Sequence, residues 1–135
     1  MTQAGPEDEV ITKFSPHSVT ATVSRLAGLI DSRGMRLFAA VDQREEARRV
    51  GLELRETVLV LFGSPAAGTP VMEAAPLAAL DLPLKVLIWA DGDQTKVSYY
   101  SPSALATRHH LSQDLAGKLA GINAITDLLV SAEPA

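Results

Sequence analysis

The 135-residue sequence predicts an α+β fold: a mainly antiparallel sheet with two helices on one face, in the order β-α-β-β-β-β-α. Three observations carry that expectation. Short apolar runs repeat with a period of two, as half-buried strands do. Two longer segments carry apolar residues at helical spacing. Asp91-Gly92 stands between two strand-like runs, a strong hairpin signal because both turn positions need positive φ.

The elements follow in order. Val10 to Phe14 reads as a short strand. Pro16 and Ser18, a good N-cap, introduce a helix carrying Val19, Val23, Leu26 and Ile30, and Gly34 stops it. Met35 to Asp42 alternates as a half-buried strand. Gln43 to Val50 is charged and reads as a short helix ending near Gly51. Thr57 to Phe62 is a strand with apolar side chains on both faces. Pro70 to Ala75 reads as a helical turn capped by Thr69, with Pro70 at its first position. Leu84 to Ala90 and Thr95 to Tyr100 form the hairpin. Pro102 ends the second strand, and Ser103 to His109 gives one or two helical turns. Asp114 caps a final helix with Leu115, Leu119, Ile122, Ile125 and Leu129 on one stripe. Residues 1–8 read as a frayed leader and residues 131–135 as a short tail, so one domain spans residues 1–135.

Composition narrows the functions. Aromatic residues make up only 4% of the chain against 47% hydrophobic, so the core is aliphatic. A net charge of −4 argues against nucleic acid and against anionic membrane surfaces. The chain has no cysteine, which excludes disulfides, thiolate metal sites and cysteine nucleophiles. The start is polar and acidic, without the apolar core of a signal peptide. No apolar run approaches the ~20 residues of a membrane helix. A cytoplasmic protein with no cofactor and no metal is the expectation.

Several motifs invite chemistry. Gly63 and Gly68 have the spacing of a phosphate-binding loop and follow a strand. Thr69 and Pro70 stand where that motif requires Lys and Ser or Thr, and Pro65 and Pro70 lack the N–H groups of a phosphate cradle. Gly63, Pro65, Gly68, Thr69 and Pro70 therefore read as loop-shaping residues. His109 and His110 are adjacent and point about 100° apart on a helix, so they do not readily share one ion and read as exposed helix-end histidines. Asp42 closes a strand and reads as the cap of the 43–50 helix. Arg44, Arg48, Arg49 and Arg55 are interleaved with acids, as on a solvated face. Ala116, Gly117, Ala120, Gly121 and Ala124 make a small-residue strip, read as packing on the protein's own sheet, with a helix–helix dimer contact as the alternative.

The hairpin defines two faces. With Asp91-Gly92 as a two-residue turn, Trp89 pairs with Gln94 and Leu87 with Lys96. One face carries Leu84, Val86, Ile88, Val97 and Tyr99 and suits a core. The other carries Lys85, Leu87, Trp89, Lys96, Ser98 and Tyr100. Two large apolar residues among polar neighbours imply that this second face is not fully wet. It packs on another subunit, lines a ligand pocket, or is covered by the chain's own 63–83 segment. Phe62, Met72, Lys85, Leu87, Trp89 and Tyr100 are the candidate ligand-binding or interface residues, Met72 being sent there by the 63–76 loop.

The run "FGSPAAGTPVMEAAPLAALDLPLKVLIWADGDQTKVSYYSP" resembles the bacterial and archaeal family called domain of unknown function 302, as does "LFAAVDQREEARRVGLELRETVLVLFG" upstream. The resemblance covers nearly the whole chain. It implies a fold similar to half of a TATA-binding protein and no established activity. Members often carry His after the strand-ending Asp; here Gln43 follows Asp42, which removes an Asp-His pair. The combined reading favours a non-enzymatic module, a homodimer or a binder of a small apolar or amphipathic ligand around Trp89. The alternative is a small-molecule enzyme using Asp42, Lys85, Tyr99, Arg108 or His109.

Overall fold

The computed structural model describes residues 9–132; the expected leader and most of the expected tail lie outside them. The elements are β1 (Val10–Ser15), α1 (Val19–Ser32), β2 (Arg36–Asp42), α2 (Gln43–Arg49), β3 (Thr57–Gly63) and α3 (Pro65–Ala74). A 3-10 helix (Pro76–Asp81) then leads to β4 (Leu84–Asp91), β5 (Gln94–Tyr100), α4 (Pro102–Arg108), α5 (Gln113–Gly117) and α6 (Gly121–Leu129). The five strands form one sheet in the order β1-β5-β4-β3-β2, and each neighbouring pair is antiparallel. This is the expected α+β class, with extra short helices around the expected order.

The closed face is built by alternation. Val60 and Phe62 on β3, Val86 and Ile88 on β4, and Val97 and Tyr99 on β5 are buried against Leu26 and Ile30 of α1 and Ile122, Ile125 and Leu129 of α6. Each fully buried aliphatic or aromatic side chain stabilises the fold by roughly 1.5–3 kcal/mol relative to exposure. The α1 helix starts where Ser18 Oγ accepts from Ala21 N, as the sequence indicates. Lys13 of β1 reaches across to α6. Its Nζ meets Asp127 at 2.8 Å and donates to Thr126 Oγ1 at 2.7 Å, with the Tyr99 ring 5.2 Å away. Burial disfavours the Lys13 charge, but Asp127 and Tyr99 outweigh it and hold its pKa above the ordinary value. A second core of Val71, Ala78, Leu105 and Leu119 joins α3, the 3-10 helix, α4 and the segment between α5 and α6 at one end of the sheet.

Four local readings are corrected. The hairpin turn is Gly92-Asp93, because Asp91 pairs with Gln94 and Trp89 with Lys96; only Gly92 takes positive φ, at 63°. The register therefore slips by two residues, which leaves every side chain on its expected face. The helix after β3 begins at Pro65 rather than Pro70. Ser64 Oγ accepts from Ala67 N, and Pro70 sits inside the helix. Both Ser64-Pro65 and Thr69-Pro70 are good starts, and the earlier one wins. The last helical stretch is capped by Ser112, not Asp114, and breaks between Gly117 and Gly121. The small-residue strip does not pack on the sheet: Gly117, Ala120, Gly121 and Ala124 are exposed.

Candidate functional site

The open face of the sheet is a grid read directly from the register. One row runs Val41, Leu59, Leu87, Ser98, Thr12. A second runs Thr57, Trp89, Lys96, Phe14, and a third joins Ala39, Leu61 and Lys85. None of these residues belongs to either core cluster. Leu59, Leu61, Leu87 and Trp89 are half-buried by one another, while Phe14 is 60% and Tyr100 47% exposed. The 63–83 segment packs at the end of the sheet, on the helix side, and contributes Val71 and Ala78 to the second core there.

Most polar groups of the open face satisfy one another; Lys85 is the exception. Trp89 Nε1–H donates to Ser98 Oγ at 3.0 Å, and Ser98 Oγ lies 2.9 Å from Thr12 Oγ1. Lys96 Nζ lies 5.2 Å from the Trp89 ring centre and 5.6 Å from that of Phe14, and it donates to Asp91 Oδ2 at 2.6 Å. That hydrogen bond, with the Lys96 charge, holds the Asp91 carboxyl below the ordinary carboxylate range. The face thus combines a network of paired polar groups, and Lys85 at one edge, with an apolar centre of Val41, Leu59, Leu61 and Leu87.

Phe62 and Met72 are not on this face. Phe62 is fully buried on the closed face, and Met72 of α3 opens into a pocket there. The pocket holds about 360 Å³ and lies between α3, the start of β2 and the α5–α6 break. Gly63, Pro65, Gly68 and Thr69 line it as well, while Pro70 does not. The stretch that resembles a phosphate loop therefore walls an apolar cavity. Gly68 stands inside a helix, where Gly costs ~1 kcal/mol against Ala. A Cβ there would meet only Leu82 Cδ1 and Met72 Cε, both at an ordinary 3.9 Å.

The candidate enzyme groups disperse. Asp42 caps α2, its Oδ1 accepting from Glu45 N at 3.0 Å. Tyr99 is buried with its hydroxyl 2.7 Å from Asn123 Oδ1, and Lys85 belongs to the open face. Only Arg108 and His109 come together, through Asp81. His109 Nε2 lies 2.6 Å from Asp81 Oδ2, and Arg108 Nη1 donates to both Asp81 oxygens. Burial disfavours the Asp81 charge, but the hydrogen bonds from His109 and Arg108 outweigh it and hold its carboxyl below the usual range. His109 is therefore a bonded, largely covered residue, with its side chain 10% exposed, rather than a free helix-end histidine. His110 is exposed, in a left-handed conformation. No group of three or more His, Asp or Glu among the described residues is placed to hold a metal ion. No described helix is long and apolar enough to cross a membrane.

Sequence reasoning missed Lys118 and the pocket itself, and it read Asp81 as a turn or helix-end carboxylate without joining it to His109 and Arg108. Lys118 sits at a helix break that its sequence does not announce, and Asp81 meets His109 across 28 positions.

Comparison with known proteins gives the family and the fold. The family model described as domain of unknown function DUF302 matches residues 11–129. The chain is 39% identical over 112 residues to proteins named fluoride-specific ion channel FluC 1 from Brucella suis and Brucella abortus, covering 81% of this chain. It spans only 44% and 42% of those relatives' own lengths. Among solved structures, an uncharacterised conserved DUF302 protein from Bacillus stearothermophilus superposes with a TM-score of 0.76 at 18% identity. That match covers 90% of this chain and 94% of the other, and it shows the shared fold.

Proposed function

This chain belongs to the DUF302 family, and on that premise we propose that it is a non-enzymatic interaction module, a homodimer that self-associates through the open sheet face centred on Leu87 and Trp89. The observation that supports this reading is the apolar centre of Val41, Leu59, Leu61 and Leu87, which neither core cluster includes. Five strands spaced ~4.8 Å apart, each about 7 residues long at ~3.3 Å per residue, make a face on the order of 500 Å² in projection. Its accessible area is larger than its projection, which brings it into the range of the ~800 Å² that each partner contributes to a standard interface. The centre itself carries no charge; of the two lysines that border it, Lys96 is matched to Asp91, and Lys85, opposite Leu61 at one edge, has no ion-pair partner among the described residues. A two-fold axis through Leu59 and Leu87 sets apolar side chains against their own copies, and the long Lys85 side chain at the edge of the patch can keep its ammonium in water. The Brucella relatives, of which this chain spans less than half, are consistent with a module that also serves within longer proteins. Their channel activity is not part of the proposal.

Sedimentation across a concentration series tests this. The wild type is expected to pass from monomer to dimer, with Trp89 emission shifting to shorter wavelength and the melting temperature rising with concentration. Leu87→Glu is expected to stay monomeric with an unchanged far-UV spectrum, since Leu87 is outside the core. A wild type that remains monomeric at every concentration, with Trp89 emitting as exposed indole, overturns the reading. So does a dimer that Leu87→Glu leaves intact.

A further inference from the structure

We propose that the pocket between α3 and the α5–α6 break is a binding site for a small anionic amphiphile, an aliphatic carboxylate of about ten carbons. The site lies on the helix side of the sheet and is independent of the self-association surface. Its walls are apolar and adaptable: Met35 just before β2 and Phe38 within it, Phe62 at the end of β3, Met72 of α3, and Leu82 and Leu119. A volume of about 360 Å³ is roughly a dozen times the ~30 Å³ share of one liquid water. It therefore accommodates a ligand of about a dozen non-hydrogen atoms, within the ordinary range of small-molecule sites.

The head group follows from charge. Lys118 is the single charged residue among those lining the pocket, and it has no ion-pair partner among the described residues. The α6 helix also begins at this wall, with Gly121 and Ile122 lining the pocket and no side chain capping it. Both features favour an anion at the polar end of an otherwise apolar cavity. Gly68 accounts for the room. Alanine fits its position without a clash and is the better helix former, yet the wall is left recessed there.

Titration calorimetry of the full chain with decanoate, kept below its micellar concentration, tests the site. Saturable one-to-one binding is expected, with 1-decanol about three- to five-fold weaker, the upper part of the range for one exposed ion pair. Gly68→Leu, which fills the recess from the helix, is expected to abolish binding of both. Gly68→Ala is expected to raise the melting temperature of the free protein while weakening decanoate, and it guards against a folding failure in the larger variant. Lys118→Glu, at an exposed position, is expected to reverse the preference from decanoate to decylamine. No saturable decanoate binding overturns the proposal, as does binding that both Gly68 variants leave unchanged. Equal affinity for decanoate and 1-decanol, or an unchanged preference in Lys118→Glu, overturns the anionic class.

Discussion

The two faces of this sheet are made from the same strands and differ by one position along each. Ile88 is completely buried, and Leu87, its chain neighbour, is half-buried in the sheet's own surface. On the closed face, two helices complete the packing. On the open face, the polar groups other than Lys85 pair within the sheet's own surface and the apolar groups point outward. Apolar character on alternate positions therefore does not identify a core. What separates the faces is whether another element is packed over them.

The largest test of this contrast is a pair of adjacent truncations. Ile88→Ala is expected to cost about 2–5 kcal/mol in denaturant unfolding, through lost burial and the cavity left behind. Leu87→Ala, measured at concentrations where the protein is monomeric, is expected to cost less than about 1 kcal/mol. Equal costs would mean that the open face is closed within a single chain. A Leu87→Ala cost that grows with protein concentration would tie the missing cover to self-association.

A smaller effect is expected at the end of the sheet, where Asp81 joins the 3-10 helix to α4 through His109 and Arg108. Asp81→Asn is expected to cost about 1–2 kcal/mol near pH 7, the lower part of the range for hydrogen bonds to charged groups, because Arg108 is partly exposed. The folded carboxyl ionises below its unfolded value of about 3.9. Its stabilisation is present above that value and is lost as pH falls through the folded pKa. The wild type is therefore expected to lose stability below about pH 4 more steeply than Asp81→Asn. Superimposable acid limbs in a pH series of unfolding curves would count against an ionised Asp81 in this contact.

Much of this was legible in the sequence, for local reasons. The alternation of Leu84 to Ala90 and of Thr95 to Tyr100 assigns each side chain to a face, and a register slip of two preserves that assignment. Ser18 before an apolar stripe marks α1 without ambiguity. The candidate site was legible only in part. Leu87, Trp89, Lys85 and Tyr100 share a face because they lie on one hairpin. Phe62 and Met72 were grouped with them although Phe62 has the parity of Val60, a core residue; pairing β3 with β4 is a long-range fact that no local pattern carries. The pocket needs β2, α3 and the α5–α6 break at once. Its lysine lies in a break that reads as continuous helix, because Leu115, Leu119, Ile122, Ile125 and Leu129 keep helical spacing across it.

The smallest expected effect is also the sharpest probe of the open face. Asp91 is its counterpart to Asp81: a carboxylate with a lowered pKa, held by Lys96 at 2.6 Å and approached by Arg55 at 3.6 Å. The sign of its pH dependence is the same, with stabilisation present above the unfolded pKa and lost in acid. Its surroundings are wet, however, so salt screens the pair. In monomeric protein, Asp91→Asn is expected to shift the melting temperature less than Asp81→Asn, and the shift is expected to fade in 1 M salt. At concentrations where the protein self-associates, the same substitution releases Lys96 as an uncompensated cation beside the apolar centre. There it is expected to weaken the dimer more than it destabilises the monomer, because burying an unmatched charge costs more than losing an exposed pair. If Asp91→Asn instead matched Asp81→Asn in 1 M salt, the open face would already be screened from water within one chain, and the contrast between the two faces would fail.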